Sequence, residues 1–158
     1  MTQKKIIVLG AGLIGKAVAI ELSKEYDVTS ADIQLCSLEA LSPQYPVTVI
    51  PCDFKDIGSL KQLISPFDLV VNAVSSSICF ETLKTIISEK KNVINVSLFS
   101  EDINLLNKIA EENNIMVYMN NNTSHELIES SSSAADFILS KKMPRSGIVF
   151  HENELVIE

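Results

Sequence analysis

Gly10, Gly12 and Gly15 fall at the spacing G-x-G-x-x-G in the run Gly10-Ala11-Gly12-Leu13-Ile14-Gly15. Each position suits a different task. Gly10 can take a tight turn at a strand end. Gly12 has no Cβ, so a pyrophosphate can approach the backbone. Gly15 lets a helix pack closely on the preceding strand. The N-terminus of that helix offers unpaired N–H groups and the positive end of its dipole to an anion. Asp32 supplies the complementary group, because a carboxylate at the end of the next strand accepts hydrogen bonds from the 2′- and 3′-hydroxyls of an adenosine ribose. The competing reading is an ordinary strand–turn–helix in which Asp32 caps the following helix. Glycine turn and acid together favour a dinucleotide.

Further candidates stand at later strand ends. Asp53 can accept from an adenine amino group and Phe54 can cover the ring. Equally, Asp53 can cap a helix and Phe54 can fill the core. Ala73, Val74 and Ser75 stand at the end of the fourth strand, where small residues let the chain pass close to the phosphates and the nicotinamide ribose. Ser75 to Ser77 also suit a helix cap. A carboxylate at Asp32 repels a 2′-phosphate, and the residues after it (Ile33, Gln34, Leu35, Cys36) include no base. That favours NAD over NADP. His125 reads as a surface residue at a helix start rather than a general base, and His151 as the tip of a hairpin. No residue is assigned a catalytic role. Cys36, Cys52 and Cys79 have no C-x-x-C spacing and read as small apolar residues, not as a metal or redox site.

These groups need a scaffold, and the pattern predicts one. Strand candidates are Lys5–Gly10, Asp27–Ala31, Val47–Pro51, Leu69–Ala73, Asn92–Val96 and Ile115–Met119. Most are continuously apolar, as in a sheet covered on both faces. Between them lie helical faces: Ile14, Val18 and Leu22; Ile57, Leu60 and Ile64; Cys79, Leu83, Ile86 and Ile87; Leu106, Ile109 and Ala110. The crossover from Gln34 to Leu41 is short and weaker. The expected fold is α/β, a doubly wound parallel sheet of Rossmann type in the order 3-2-1-4-5-6, with the cofactor at the carboxyl ends of strands one and four. Residues 1–122 are expected to form this domain. Residues 123–158 read as an extension: a short helix starting at Ser124, weakened by Ser130 to Ser133, then a hairpin of Gly147–Phe150 and Glu154–Ile157. An open edge on the sixth strand, with this apolar tail, suggests a homodimer.

A chain of 158 residues fits one such domain, and its formal charge of −7 argues against nucleic acid and anionic membranes as partners. No apolar run approaches the ~20 residues that span a bilayer, and no leader precedes the first strand, so the expected compartment is cytoplasmic.

The stretches Val8–Gly15, Glu25–Thr29, Pro51–Phe54, Phe67–Val74 and Val93–Ser97 resemble the nucleotide-binding domain of the saccharopine dehydrogenase family, in particular its lysine 6-dehydrogenase type. The resemblance covers roughly residues 4 to 120. It implies an oxidoreductase that uses a nicotinamide cofactor on amino-acid or secondary amines. It also implies cofactor contacts at Gly10, Gly12, Leu13, Ile14, Gly15, Asp32, Asp53 and Val74. Two departures stand out. The family usually carries Asp where this chain has Asn95. It also continues from the sixth strand into a glycine- and proline-containing turn and a large substrate domain, where this chain reads Asn120-Asn121-Asn122-Thr123-Ser124. The wall that holds an amino-acid substrate is therefore expected from elsewhere. Two rival readings remain. One is a nucleotide-sensing module similar to the regulatory domains of potassium transport systems, without catalysis. The other is a purely structural subunit.

Overall fold

A computed structural model describes residues 3–120, 124–140 and 146–150. Its elements are β1 (Lys5–Leu9), α1 (Leu13–Leu22), β2 (Asp27–Asp32), α2 (Leu35–Glu39), β3 (Val47–Pro51), α3 (Ile57–Ile64), β4 (Leu69–Asn72), α4 (Ser76–Ser88), β5 (Val93–Asn95), α5 (Ile103–Glu112), β6 (Met116–Met119), α6 (Ser124–Leu139) and β7 (Gly147–Phe150). The strands form one seven-stranded sheet in the order β3-β2-β1-β4-β5-β6-β7. Every pairing is parallel.

Both faces of the sheet are buried, which accounts for its unbroken apolar strands. Along β1, Ile6 and Val8 enter one core layer, and Ile7 and Leu9 enter the other. The first layer is closed by α1, α2 and α6, through residues such as Val18, Leu38 and Ala135. The second is closed by α3, α4 and α5, through Leu60, Ile64, Leu83, Ile86 and Leu106. The predicted helical faces hold, with one exception: Ile57 is exposed because it opens α3, ahead of the turn that meets the sheet. Asp56 caps α3 by accepting from Ser59 N at 3.2 Å, and Asp102 caps α5 by accepting from Asn104 N at 2.9 Å.

The carboxyl-terminal part departs from expectation. Gly147–Phe150 is not an arm appended to the sheet. It is a seventh parallel strand, in register from Met116↔Gly147 to Met119↔Phe150. The sixth strand therefore has no open edge, and the argument for a homodimer loses that support. The expected hairpin partner Glu154–Ile157, and His151, lie outside the described residues. The crossover α6 is an unbroken helix of 16 residues. Its serines do not interrupt it because they bond back into it: Ser130 Oγ donates to Glu126 O at 2.7 Å and Ser133 Oγ to Glu129 O at 3.2 Å. Buried Asn120 completes the arrangement, with Nδ2 within 3.1 Å of Leu127 O, Ser130 Oγ and Ser131 Oγ.

Candidate functional site

The turn from β1 to α1 shows why its three glycines are not equivalent. Gly10 sits at φ +100°, a left-handed conformation that L side chains rarely adopt. A Cβ there would also strike the carbonyl of Ala73, lying 2.8 Å from its carbon. A Cβ on Gly15 would strike the Gly10 carbonyl, 2.9 Å from its carbon. Both positions are closed by protein. Gly12, the N-cap residue of α1, is different: a Cβ added there meets nothing within 4 Å. The space above it is open and lies at a helix N-terminus whose first N–H groups lack intrahelical partners. Strand ends are stitched around this turn. Gly10 N donates to Ala31 O at 2.8 Å, and Ala73 N donates to Leu9 O at 2.8 Å.

Asp32 closes the turn from the β2 side. Its Oδ2 accepts from Ala11 N at 2.7 Å and its Oδ1 from Gln34 N at 2.8 Å. It caps no helix, since α2 has Gln34 at its N-cap. Two amide bonds use about half of the acceptor sites of a carboxylate, which leaves capacity for ribose hydroxyls.

All the residues singled out from the sequence line one cleft at the carboxyl ends of the strands: Gly10, Gly12, Leu13, Ile14, Gly15, Asp32, Asp53, Phe54, Ala73, Val74 and Ser75. Its volume is about 660 Å³, within the range of small-molecule and cofactor sites. Asp53 does not cap α3. Its Oδ1 accepts from Lys55 N at 3.0 Å, leaving the cap to Asp56. Phe54 belongs both to the cleft and to the core. Ser75 occupies the N-cap position of α4 without making a cap bond, because its hydroxyl pairs with Ser77 Oγ at 3.0 Å. Five lining residues had no cofactor role in the sequence reading: Ile33, Gln34, Lys55, Ser77 and Ile78. Ile33 and Gln34 directly follow Asp32, so adjacency alone could have nominated them. Nothing local marks Lys55 or Ile78.

Beside the cleft, beneath the ends of β4 and β5, lies a buried polar cluster. Asn72 Nδ2 donates to Asn95 Oδ1 at 3.1 Å, and Asn95 Nδ2 donates to Ser97 O at 2.7 Å. Ser97 Oγ donates to Val74 O at 2.6 Å, and Cys79 Sγ donates to Asn95 Oδ1 at 3.4 Å. Burial, reinforced by the charge of Glu101 and opposed by hydrogen bonds from Ser97 and Asn72, pushes the Cys79 thiol up to about 11. It therefore stays protonated and unreactive at neutral pH. The cluster holds the Ala73–Ser75 lip in place and does not itself line the cleft.

Residues 6–131 match the saccharopine dehydrogenase NADP-binding domain. The chain belongs to that family. Its matched part is an NAD(P)-binding domain of Rossmann type. Among solved structures, saccharopine dehydrogenase (L-Glu forming) from Saccharomyces cerevisiae is similar at 23% identity and a TM-score of 0.66, over 73% of this chain and 26% of the yeast chain. The chain thus spans about a quarter of that enzyme. A Rossmann-fold NAD(P)-binding family protein from Shigella flexneri aligns over 94% of this chain and 92% of its own, at 16% identity and a TM-score of 0.66. GenD2 from gentamicin A biosynthesis, solved in complex with NAD, aligns over 75% of this chain and 34% of its own at 16% identity and a TM-score of 0.59. At these identities the structures speak to the fold. No curated protein matches the chain significantly in sequence. Among the described residues no helix is long and apolar enough to cross a membrane.

Proposed function

We propose that this domain binds a nicotinamide dinucleotide for an oxidoreductase acting on an amino-acid amine, with NAD favoured over NADP. One observation carries the reading. Of three glycines in one turn, two are closed by protein atoms, and the third opens on empty space at a helix N-terminus beside Asp32. A pyrophosphate fits there, held by the first amides of α1 around Gly12, Leu13 and Ile14. The spare acceptor capacity of Asp32 takes the adenosine ribose. Asp53 and Phe54 flank the adenine, and the small lip Ala73–Ser75 receives the nicotinamide ribose. Bound there, the nicotinamide supplies a hydride acceptor or donor. The protein's part is to position the ring and shield it from water. The residues that hold the amine are assigned to a further region or a second chain, in keeping with the length of the yeast relative outside the matched part.

Titration calorimetry with NAD and NADP, followed by an assay for nicotinamide reduction with amino-acid amines, tests the proposal. The expected result is saturable binding of NAD, tighter than that of NADP. No heat at millimolar dinucleotide overturns the cofactor assignment. Dinucleotide binding that changes the protein's shape without turnover of any amine favours the sensing module instead.

A further inference from the structure

The sequence offers no base directly after Asp32, but the fold brings one into the cleft from the turn that follows β3. Among the described residues lining the cleft, the charged side chains are Asp32, Asp53 and Lys55, so Lys55 is its single cation. Its place is set by the sheet. Asp32 is in register with Pro51 across β2 and β3, and Cys52 N donates to Asp32 O at 3.1 Å. Three residues on from Cys52, Lys55 is fixed by its own N–H, which Asp53 Oδ1 accepts at 3.0 Å.

Two features give that ammonium a specific part. Neighbouring strands lie about 4.8 Å apart, so β3 stands roughly 10 Å from the β1 turn. Lys55 therefore belongs to the adenosine end of the cleft and not to the pyrophosphate end. It is also uncommitted: the ion pairs among the described residues are Lys24–Glu21 and Lys61–Glu89. Asp32, meanwhile, already accepts two backbone amides, which temper the charge it presents to a neighbouring anion. A 2′-phosphate on the adenosine ribose would meet one tempered carboxylate and one free ammonium.

We infer that Lys55 is the specificity-determining residue at the adenosine ribose, the group through which this cleft tolerates a 2′-phosphate next to the Asp32 carboxylate. This rests on the dinucleotide reading above. A compact ammonium on a flexible stem suits the task, because it needs no bidentate geometry.

The test uses the whole chain at constant ionic strength. Wild type, Lys55→Gln and Lys55→Arg are titrated with NAD, NADP, AMP and adenosine 2′,5′-bisphosphate. Lys55 is exposed, and matching melting curves confirm that the variants fold. Lys55→Gln is expected to weaken NADP and the bisphosphate by about fivefold to tenfold, the scale of one charge-assisted contact. NAD and AMP should stay within about twofold, and Lys55→Arg should restore the difference. Equal weakening of NAD and NADP would move Lys55 to the shared pyrophosphate and overturn the inference, as would no change in either. Wild type that binds NAD but not NADP overturns the inference and leaves the dinucleotide reading standing. Wild type that binds neither overturns both.

Discussion

On the β2–β3 side of the glycine turn, Asp32, Asp53 and Lys55 face an open cleft with bonding capacity to spare. On the β5 side, Asn72, Asn95, Cys79 and Ser97 bond to one another and to the chain, and none of them lines the cleft. Both groups sit at the carboxyl ends of parallel strands, so topology alone does not separate them. What separates them is burial: Asn72, Asn95 and Cys79 are fully buried, whereas Asp53 and Lys55 are exposed and Asp32 is half-buried. A buried polar group left unpaired costs about 1–3 kcal/mol, so most of the β5 cluster is knitted together as rigid support, although Asn72 Oδ1 has no hydrogen-bond partner among the described residues. The exposed groups over β2 and β3 stay hydrated and remain available to exchange water for ligand. The tilted pair of Phe80 and Phe99, 6.0 Å between ring centroids, adds apolar packing near the β5 side.

The largest expected effect breaks the turn itself. Gly15→Ala places a methyl group against the Gly10 carbonyl, a backbone group that cannot rotate away. It should cost about 3 kcal/mol or more in urea unfolding, at the upper end for overpacking. Gly12→Ala is the control, since nothing in the protein meets the added carbon. It should change stability by less than about 1 kcal/mol while weakening dinucleotide binding. Equal destabilisation by the two substitutions would dissolve the distinction between packing glycine and ligand glycine.

A somewhat smaller effect is expected in the buried cluster. Asn95→Asp restores the residue type that the family resemblance implies, but here Asn95 is fully buried and its Nδ2 donates to Ser97 O. The substitution removes that donor and buries a carboxyl against a carbonyl. The expected loss is about 2 kcal/mol by thermal or urea unfolding, growing as the new acid ionises. A neutral outcome at pH 7 would mean that the cluster tolerates charge, and the contrast between the two sides would fail.

The smallest effect concerns the seam joining α6 to the first half of the sheet. Burial first, then the hydrogen bond to Asp136 and the charges of Asp136 and Glu25, push the Tyr26 phenol above the usual tyrosine range. The folded protein thus holds this proton more tightly than the unfolded chain does. The contribution is fully present below the ordinary tyrosine value near 10 and is lost as pH rises beyond it. Melting temperature should therefore fall more steeply above that pH in wild type than in Tyr26→Phe. Identical slopes would show that the seam carries no such linkage.

The cleft was largely legible because its decisive residues are contiguous or lie at strand ends. Gly10, Gly12 and Gly15 occupy one turn of chain, and Asp32, Asp53 and Ala73–Ser75 each follow an apolar run whose direction is set by parallel topology. Helix caps were less legible: Asp53 and Asp56 are equally plausible from composition, and only the local geometry assigns the cap to Asp56. The run Ser130–Ser133 reads as unfavourable for a helix because serine hydroxyls compete for backbone hydrogen bonds, and the partner that Ser130 and Ser131 gain, Asn120, lies outside the run. The place of Gly147–Phe150 beside β6 was not legible, because a short apolar run carries no mark of which neighbour it will pair with.

Local steric and periodic rules act between residues near in the chain. By themselves they determined the strand–turn–helix at the amino end, the alternation of strands and helices, and the acid that follows β2. Pairing across strands decided the rest: β7 over the edge of β6, Asn72 against Asn95, and Lys55 in the cleft that Asp32 also lines. The reason is physical. Each of those meetings depends on register and layer packing, which emerge only when distant segments bury their apolar faces together.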